Sequence, residues 1–142
     1  MKEFLKGVVQ ELGYEVFDAG NAVYDENDDY PDFAAEAAKQ VSLDYEGSRA
    51  VLICGSGAGV NIVANKYPNV RATLGLSTDQ VYDARHDDDV NVLCLSSDFT
   101  AKPDAQKMVQ VFITTPFGGE ARHERRLEKI AQIESKAPFA LK

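Results

Sequence analysis

Apolar positions recur along this chain with two different periods. Between residues 2 and 12, Phe4, Leu5, Val8, Val9 and Leu12 share one face of a 3.6-residue helix, and Gly13 supplies the left-handed exit. YEVFDAG (14–20) reads as a short strand, and residues 18–32 as a loop carrying six acidic residues. The helical period resumes over 32–44 through Phe33, Ala37 and Val41, opened by the Pro31-Asp32 pair.

From residue 49 the two periods alternate. RAVLIC (49–54) is a nearly continuous apolar run, the pattern of a strand buried on both faces of a parallel sheet. A glycine loop leads from it into a helix over 58–66. RATLGL (71–76) follows as a strand, 78–86 as a helix, NVLCLSS (91–97) as a strand and 103–114 as a helix. Beyond Pro116 and the Gly118-Gly119 pair, a last helix carries ARHERRLEKIAQIES. The alternation predicts an α/β sandwich with a mostly parallel sheet. Ligands of such sheets bind outside the carboxyl ends of the strands, where Cys54, Ser77 and Ser96 fall.

Length and charge narrow the function classes. The 142 residues suit one domain, 1–142. A formal net charge of -8, with 15 Lys and Arg against 23 Asp and Glu, argues against nucleic acid as a partner. No run approaches the roughly 18 apolar residues of a membrane span. The start MKEFLKGVVQELG lacks the apolar core of a signal peptide, so a cytoplasmic location is expected. Cys54 and Cys94 both lie in apolar runs, which suits free thiols in a reducing compartment.

The loop CGSGAG (54–59) carries the most chemistry. A phosphate-binding P-loop needs GxxxxGK followed by Ser or Thr, which is absent, and a dinucleotide fingerprint needs glycine where Val60 stands. Asp79 is the one feature in favour of a nucleotide-binding module, which stays open as a third reading. Gly55, Gly57 and Gly59 let backbone amides turn inward at a helix start, so the loop can hold an oxyanion. Cys54 beside it is a candidate nucleophile or general base. The competing reading is a small buried hydrophobe that ends a strand.

One basic patch interrupts the acidic chain: three of the six arginines lie within 122–126. On a helix Arg122 and Arg126 share a face, and two guanidinium forks side by side suit a phosphate. Arg125 and Lys129 form the adjacent pair. A solvated face pairing with Glu124 and Glu128 is the alternative.

In combination, LGYEVFDAG, DYPDFA, LICGSGAGVNIVANK, VRATL, NVLCL and GG followed by RHERRLEKI resemble the type-B ribose-5-phosphate isomerases and the related galactose-6-phosphate isomerase subunits. The resemblance implies a Rossmann-like three-layer sandwich whose C-terminal helix, 119–135, lies at an interface in a homodimer or dimer of dimers. It implies aldose-ketose isomerisation of a sugar phosphate, ribose 5-phosphate to ribulose 5-phosphate foremost, through a cis-enediolate, without metal or other cofactor. Cys54 would then move the proton, Ser56 would assist at the sugar oxygens, and the amides of Gly55, Gly57 and Gly59 would hold the enediolate. Arg122 and Arg126 would grip the phosphate, reaching across from the partner subunit, and Asn91 would contact substrate.

Three departures from the family pattern carry expectations of their own. The family's first strand, ending in an Asp-His-Ala-Gly loop, has no counterpart in residues 1–12, which implies a truncated chain or a rebuilt sheet with unpaired edges. The ring-opening histidine falls on Asp87 by direct count and on His86 after a one-residue shift; His86 is preferred because imidazole titrates near neutrality. Glu120 and Ala121 are extra residues before Arg122. A catalytically impaired relative, binding sugar phosphate or a partner subunit without turnover, is the alternative function.

Overall fold

The computed structural model describes residues 1–136; the last six positions of the domain expected over 1–142 lie outside the described residues. Helix α1 (Lys2–Glu11) buries Leu5 and Val8 and ends at Gly13, whose φ of +89° is the left-handed exit that its lack of a side chain permits. Helix α2 (Tyr30–Leu43) starts two residues ahead of the expected boundary, with its proline in the first turn, where a missing N–H costs nothing. Strand β1 (Ala50–Cys54) then begins the alternating half: α3 (Ala58–Ala64), β2 (Ala72–Leu74), α4 (Thr78–Asp88), β3 (Val92–Ser96) and α5 (Lys102–Thr114), before α6 (Ala121–Lys136).

The three strands form one parallel sheet in the order β1-β3-β2, with Cys54 opposite Ser96 at its carboxyl end and Ala50 opposite Val92 at its amino end. The last strand in sequence is therefore the central one, which is why VLCLS is buried along its whole length. Its side chains divide the core by the two-residue period of a strand. Val92 and Cys94 face Leu52, Val60, Ala64 and the Ala34, Ala38 and Val41 stripe of α2. Leu93 and Leu95 face Leu5, Val81, Met108, Val109 and Phe112. Helices α2 and α3 thus cover one face and α1, α4 and α5 the other, the three-layer arrangement that the family resemblance implies.

YEVFDAG corrects the reading of the sequence: residues 14–20 form no strand. A strand exists only through its ladder, and β1 pairs with β3 alone among the described residues. The segment is held to α1 instead. Lys6 and Lys2 reach the Asp18 carboxylate at 2.9 and 3.2 Å, and the Lys6 hydrogen bond, helped by the Gly20 N–H, pulls the carboxyl down to about 2. Phe17, apolar in the pattern, is left 73% exposed. No helix of the described residues is long and apolar enough to cross a membrane.

Candidate active site

At the carboxyl end of β1 the chain turns sharply through Gly55, Ser56 and Gly57 into α3. Gly57 caps that helix at φ +78°, and a Cβ there would stand 2.9 Å from the Leu74 side chain and 3.1 Å from the Leu95 backbone, so only glycine fits. The turn aims the Gly57 N–H at the half-buried Cys54, donating to Sγ at 3.2 Å. Ser56 stays exposed, its hydroxyl accepting from the Ala58 N–H at 3.2 Å.

The loop after β3 straps this turn from the side. Ser97 N–H donates to the Cys54 carbonyl at 2.9 Å and Asp98 N–H to the Gly55 carbonyl at 3.1 Å, while the Ser96 hydroxyl donates to Gly55 at 2.5 Å. These bonds take up the Cys54 and Gly55 carbonyls and fix the turn that carries Cys54. Gly59 serves packing instead: Tyr30 lies so close that a Cβ there would meet its ring at 2.5 Å. Cys94, beneath, is wholly buried, and burial pushes its thiol up to about 12. Neither cysteine is in a disulfide, as the sequence led us to expect.

A second polar group lies at the other end of the sheet. Helix α4 leaves the carboxyl end of β2 and runs back, so its last turn comes to rest beside Val90 and Asn91, at the amino end of β3. There His86 Nδ1 and Asp87 Oδ1 are 2.7 Å apart, and the Tyr82 ring stacks on the imidazole at 5.5 Å. The His86 hydrogen bond, with the charges of His123, His86 and Arg122 behind it, holds the Asp87 carboxyl below its usual range. Asp87 and His86 are thus partners rather than substitutes: the carboxylate orients the ring. Gly118 lies against that ring, where a Cβ would meet Cε1 and Nε2 at 2.5 Å, and its N–H donates to the His86 carbonyl at 2.9 Å.

The remaining expected residues divide between supporting and exposed positions. Asn91 is buried, its amide oxygen accepting from Arg71 N–H and its amide nitrogen donating to the Asn69 carbonyl, both at 2.8 Å. Its polar atoms hold the turn into β2, which makes it a strut for the backbone rather than a free contact for substrate. Arg122 and Arg126 are exposed on α6, and the extra residue Glu120 takes the Arg122 Nε at 3.0 Å.

The structure brings Cys54, Ser56 and the glycine loop together, and separately His86, Asp87 and the start of α6. It does not bring these two groups together. Four strand steps separate Val92 from Ser96, or roughly 13 Å at the usual rise, and the two groups lie beyond opposite ends of that span. Gly118, His123, Asp98 and Tyr30 were not singled out as site residues by their sequence pattern. The Gly118-Gly119 pair ahead of the last helix was the one visible signal, and its sequence says nothing of the clearance it gives an imidazole.

Known proteins share this fold. A sequence profile described as Ribose/Galactose Isomerase matches residues 1–130. A crystal structure of ribose-5-phosphate isomerase B from Mycoplasma genitalium with bound ribulose-5-phosphate superposes with a TM-score of 0.91 at 38% identity, covering 96% of this chain and 89% of that one. The isomerase B of Clostridium thermocellum gives 0.88 at 33% identity over 95% and 89%. By sequence, ribose-5-phosphate isomerase B of Mycobacterium tuberculosis is 33% identical over 126 residues, 89% of this chain and 77% of the relative. With the profile spanning most of its length, and with a cysteine-glycine loop closing its first strand, the chain belongs to the ribose/galactose isomerase family.

Proposed function

We propose that this protein is an aldose-ketose isomerase of a phosphorylated sugar, converting ribose 5-phosphate to ribulose 5-phosphate. The observation that carries the reading is the Gly57 N–H aimed at Cys54 Sγ across a turn that only glycine can make. It joins a proton acceptor to donors suited to a developing negative oxygen. His86, oriented by Asp87, protonates the ring oxygen while the C1 hydroxyl gives its proton to solvent and the bond from C1 to the ring oxygen breaks, which opens the sugar to its aldehyde. Cys54, as the thiolate, takes the proton from C2 while the electron pair moves onto the C1 carbonyl oxygen, and amides of the Gly55–Gly57 turn hold the resulting enediolate. The thiol returns its proton to C1. Ser56 carries a proton from the C2 hydroxyl to the C1 oxygen, leaving the ketone at C2. Arg122 and Arg126 bind the phosphate.

Separation of Cys54 from His86 by the length of the sheet supports a site shared by two copies, one giving the cysteine loop and the other His86 and the arginines. The amphipathic α6 supports the same reading. It packs on the rest of the chain mainly through α4, buries only His123, and leaves Ile130 and Ile133 at 47% and 58% exposure for a partner to cover. A homodimer, alone or paired again, is the unit that would work, and the free thiols suit a cytoplasmic setting.

Turnover in D2O, followed by NMR, tests the assignment. The parent incorporates deuterium at the carbon that accepts the proton, and Cys54→Ala loses exchange and turnover together, by about 10²–10⁴-fold. Exchange that persists in Cys54→Ala assigns the base elsewhere.

A further inference from the structure

We propose that His86, Asp87 and His123 form a binding site for a divalent transition-metal ion, with zinc the best match. One ligand atom from each of the three residues lies within 4.8 Å of the others. His86 Nδ1 and Asp87 Oδ1 are 2.7 Å apart, and His123 Nδ1 stands 3.5 Å from the same oxygen. Bonds of about 2.0–2.1 Å in a tetrahedron place neighbouring ligands roughly 3.3 Å apart, so these two edges bracket the required spacing. The third pair of ligand atoms lies within 4.8 Å.

A cluster of titratable side chains is commonplace, but His123 sets this one apart. It is 2% exposed, and its Nδ1 is buried without a hydrogen-bond partner. Burying such an atom unpaired costs free energy, and the atom faces the Asp87 carboxylate, where an ion would satisfy it. Two imidazoles and one carboxylate are a donor set suited to zinc, cobalt or nickel rather than to magnesium or calcium, which take oxygen ligands. The cation nearest in sequence, Arg122, is paired with Glu120 at 3.0 Å. The isomerisation proposed above needs no metal, and under that reading an ion on His86 Nδ1 would remove the imidazolium form and silence the acid. Binding itself does not depend on that reading.

Cobalt(II) added to the tag-free, full-length, metal-free protein provides the probe. Visible bands of a four-coordinate ion with nitrogen and oxygen ligands are expected at about one ion per chain, and zinc should displace them. His123→Gln and Asp87→Asn should each weaken binding at least tenfold. Asp87, with a side chain 42% exposed, is the change that leaves the fold intact if the buried one does not. Affinity unchanged in Asp87→Asn, thiolate-to-metal bands that vanish in Cys54→Ser, or no bands up to millimolar cobalt would each overturn the site. A loaded protein whose isomerase activity is absent from the start would count against the proposed function and leave the spectroscopic result standing.

Discussion

A hydrogen atom in place of a methyl group at Gly118 decides where the His86 imidazole sits. The ring is clamped by Tyr82 on one side, Asp87 at Nδ1 and the bare Gly118 backbone along its Cε1–Nε2 edge. Gly118→Ala forces that edge to move, because rings do not tolerate a carbon at 2.5 Å. Under the proposed function, the expected outcome is a fall in kcat on the order of tenfold, from a misplaced acid, with KM nearly unchanged and a stability loss of about 1–3 kcal/mol. Steady-state kinetics beside a thermal melt would read both, and an unchanged kcat would detach His86 from the chemistry. Such residues explain what a linear reading could and could not reach. Cys54, Ser56 and Gly57 are consecutive or nearly so, and their chemistry follows from a turn of three residues. His123 matters only because α6 folds back on α4, and Asn91, expected to contact substrate, has its amide held between Asn69 and Arg71.

Elements were legible wherever their burial was set by their own period. NVLCLSS was expected as a strand and supplies the buried central one, and the boundaries of α4, α5 and α6 fall within two residues of the expected ones. YEVFDAG failed for a physical reason: its pattern is that of a strand, but a strand's hydrogen bonds belong to a neighbour, and among the described residues no strand stands beside it. What fixes this segment is electrostatic, through Asp18 between Lys2 and Lys6. The Asp18 carboxyl is held near 2, below its ordinary 3.8, so the folded state favours its ionised form. That contribution is complete above about pH 4 and disappears as the pH falls towards 2. Asp18→Asn should therefore cost on the order of 1–2 kcal/mol at pH 6, discounted because Lys2 is partly in water. The gap between mutant and parent melts should close over the acid range. A gap that stays constant from pH 6 to pH 2 would mean that the ion pairs contribute nothing to holding α1.

At the scale of the whole molecule, every strand among the described residues points the same way, so the sheet has a cysteine end and a histidine end. This polarity has a genetic consequence. Cys54→Ala and His86→Ala each remove one half of a site that, under the proposed function, two copies complete together, and each variant alone should be inactive. Dissociated, mixed in equal amounts and allowed to reassociate, they should form hybrids in about half of the dimers, each with one site damaged twice and one site intact. Activity should rise from nothing to about a quarter of the parent's, the ceiling that random pairing allows. A site contained within one chain would give no recovery at any mixing ratio. A protein whose two ends work on each other's behalf can carry two broken alleles and still function.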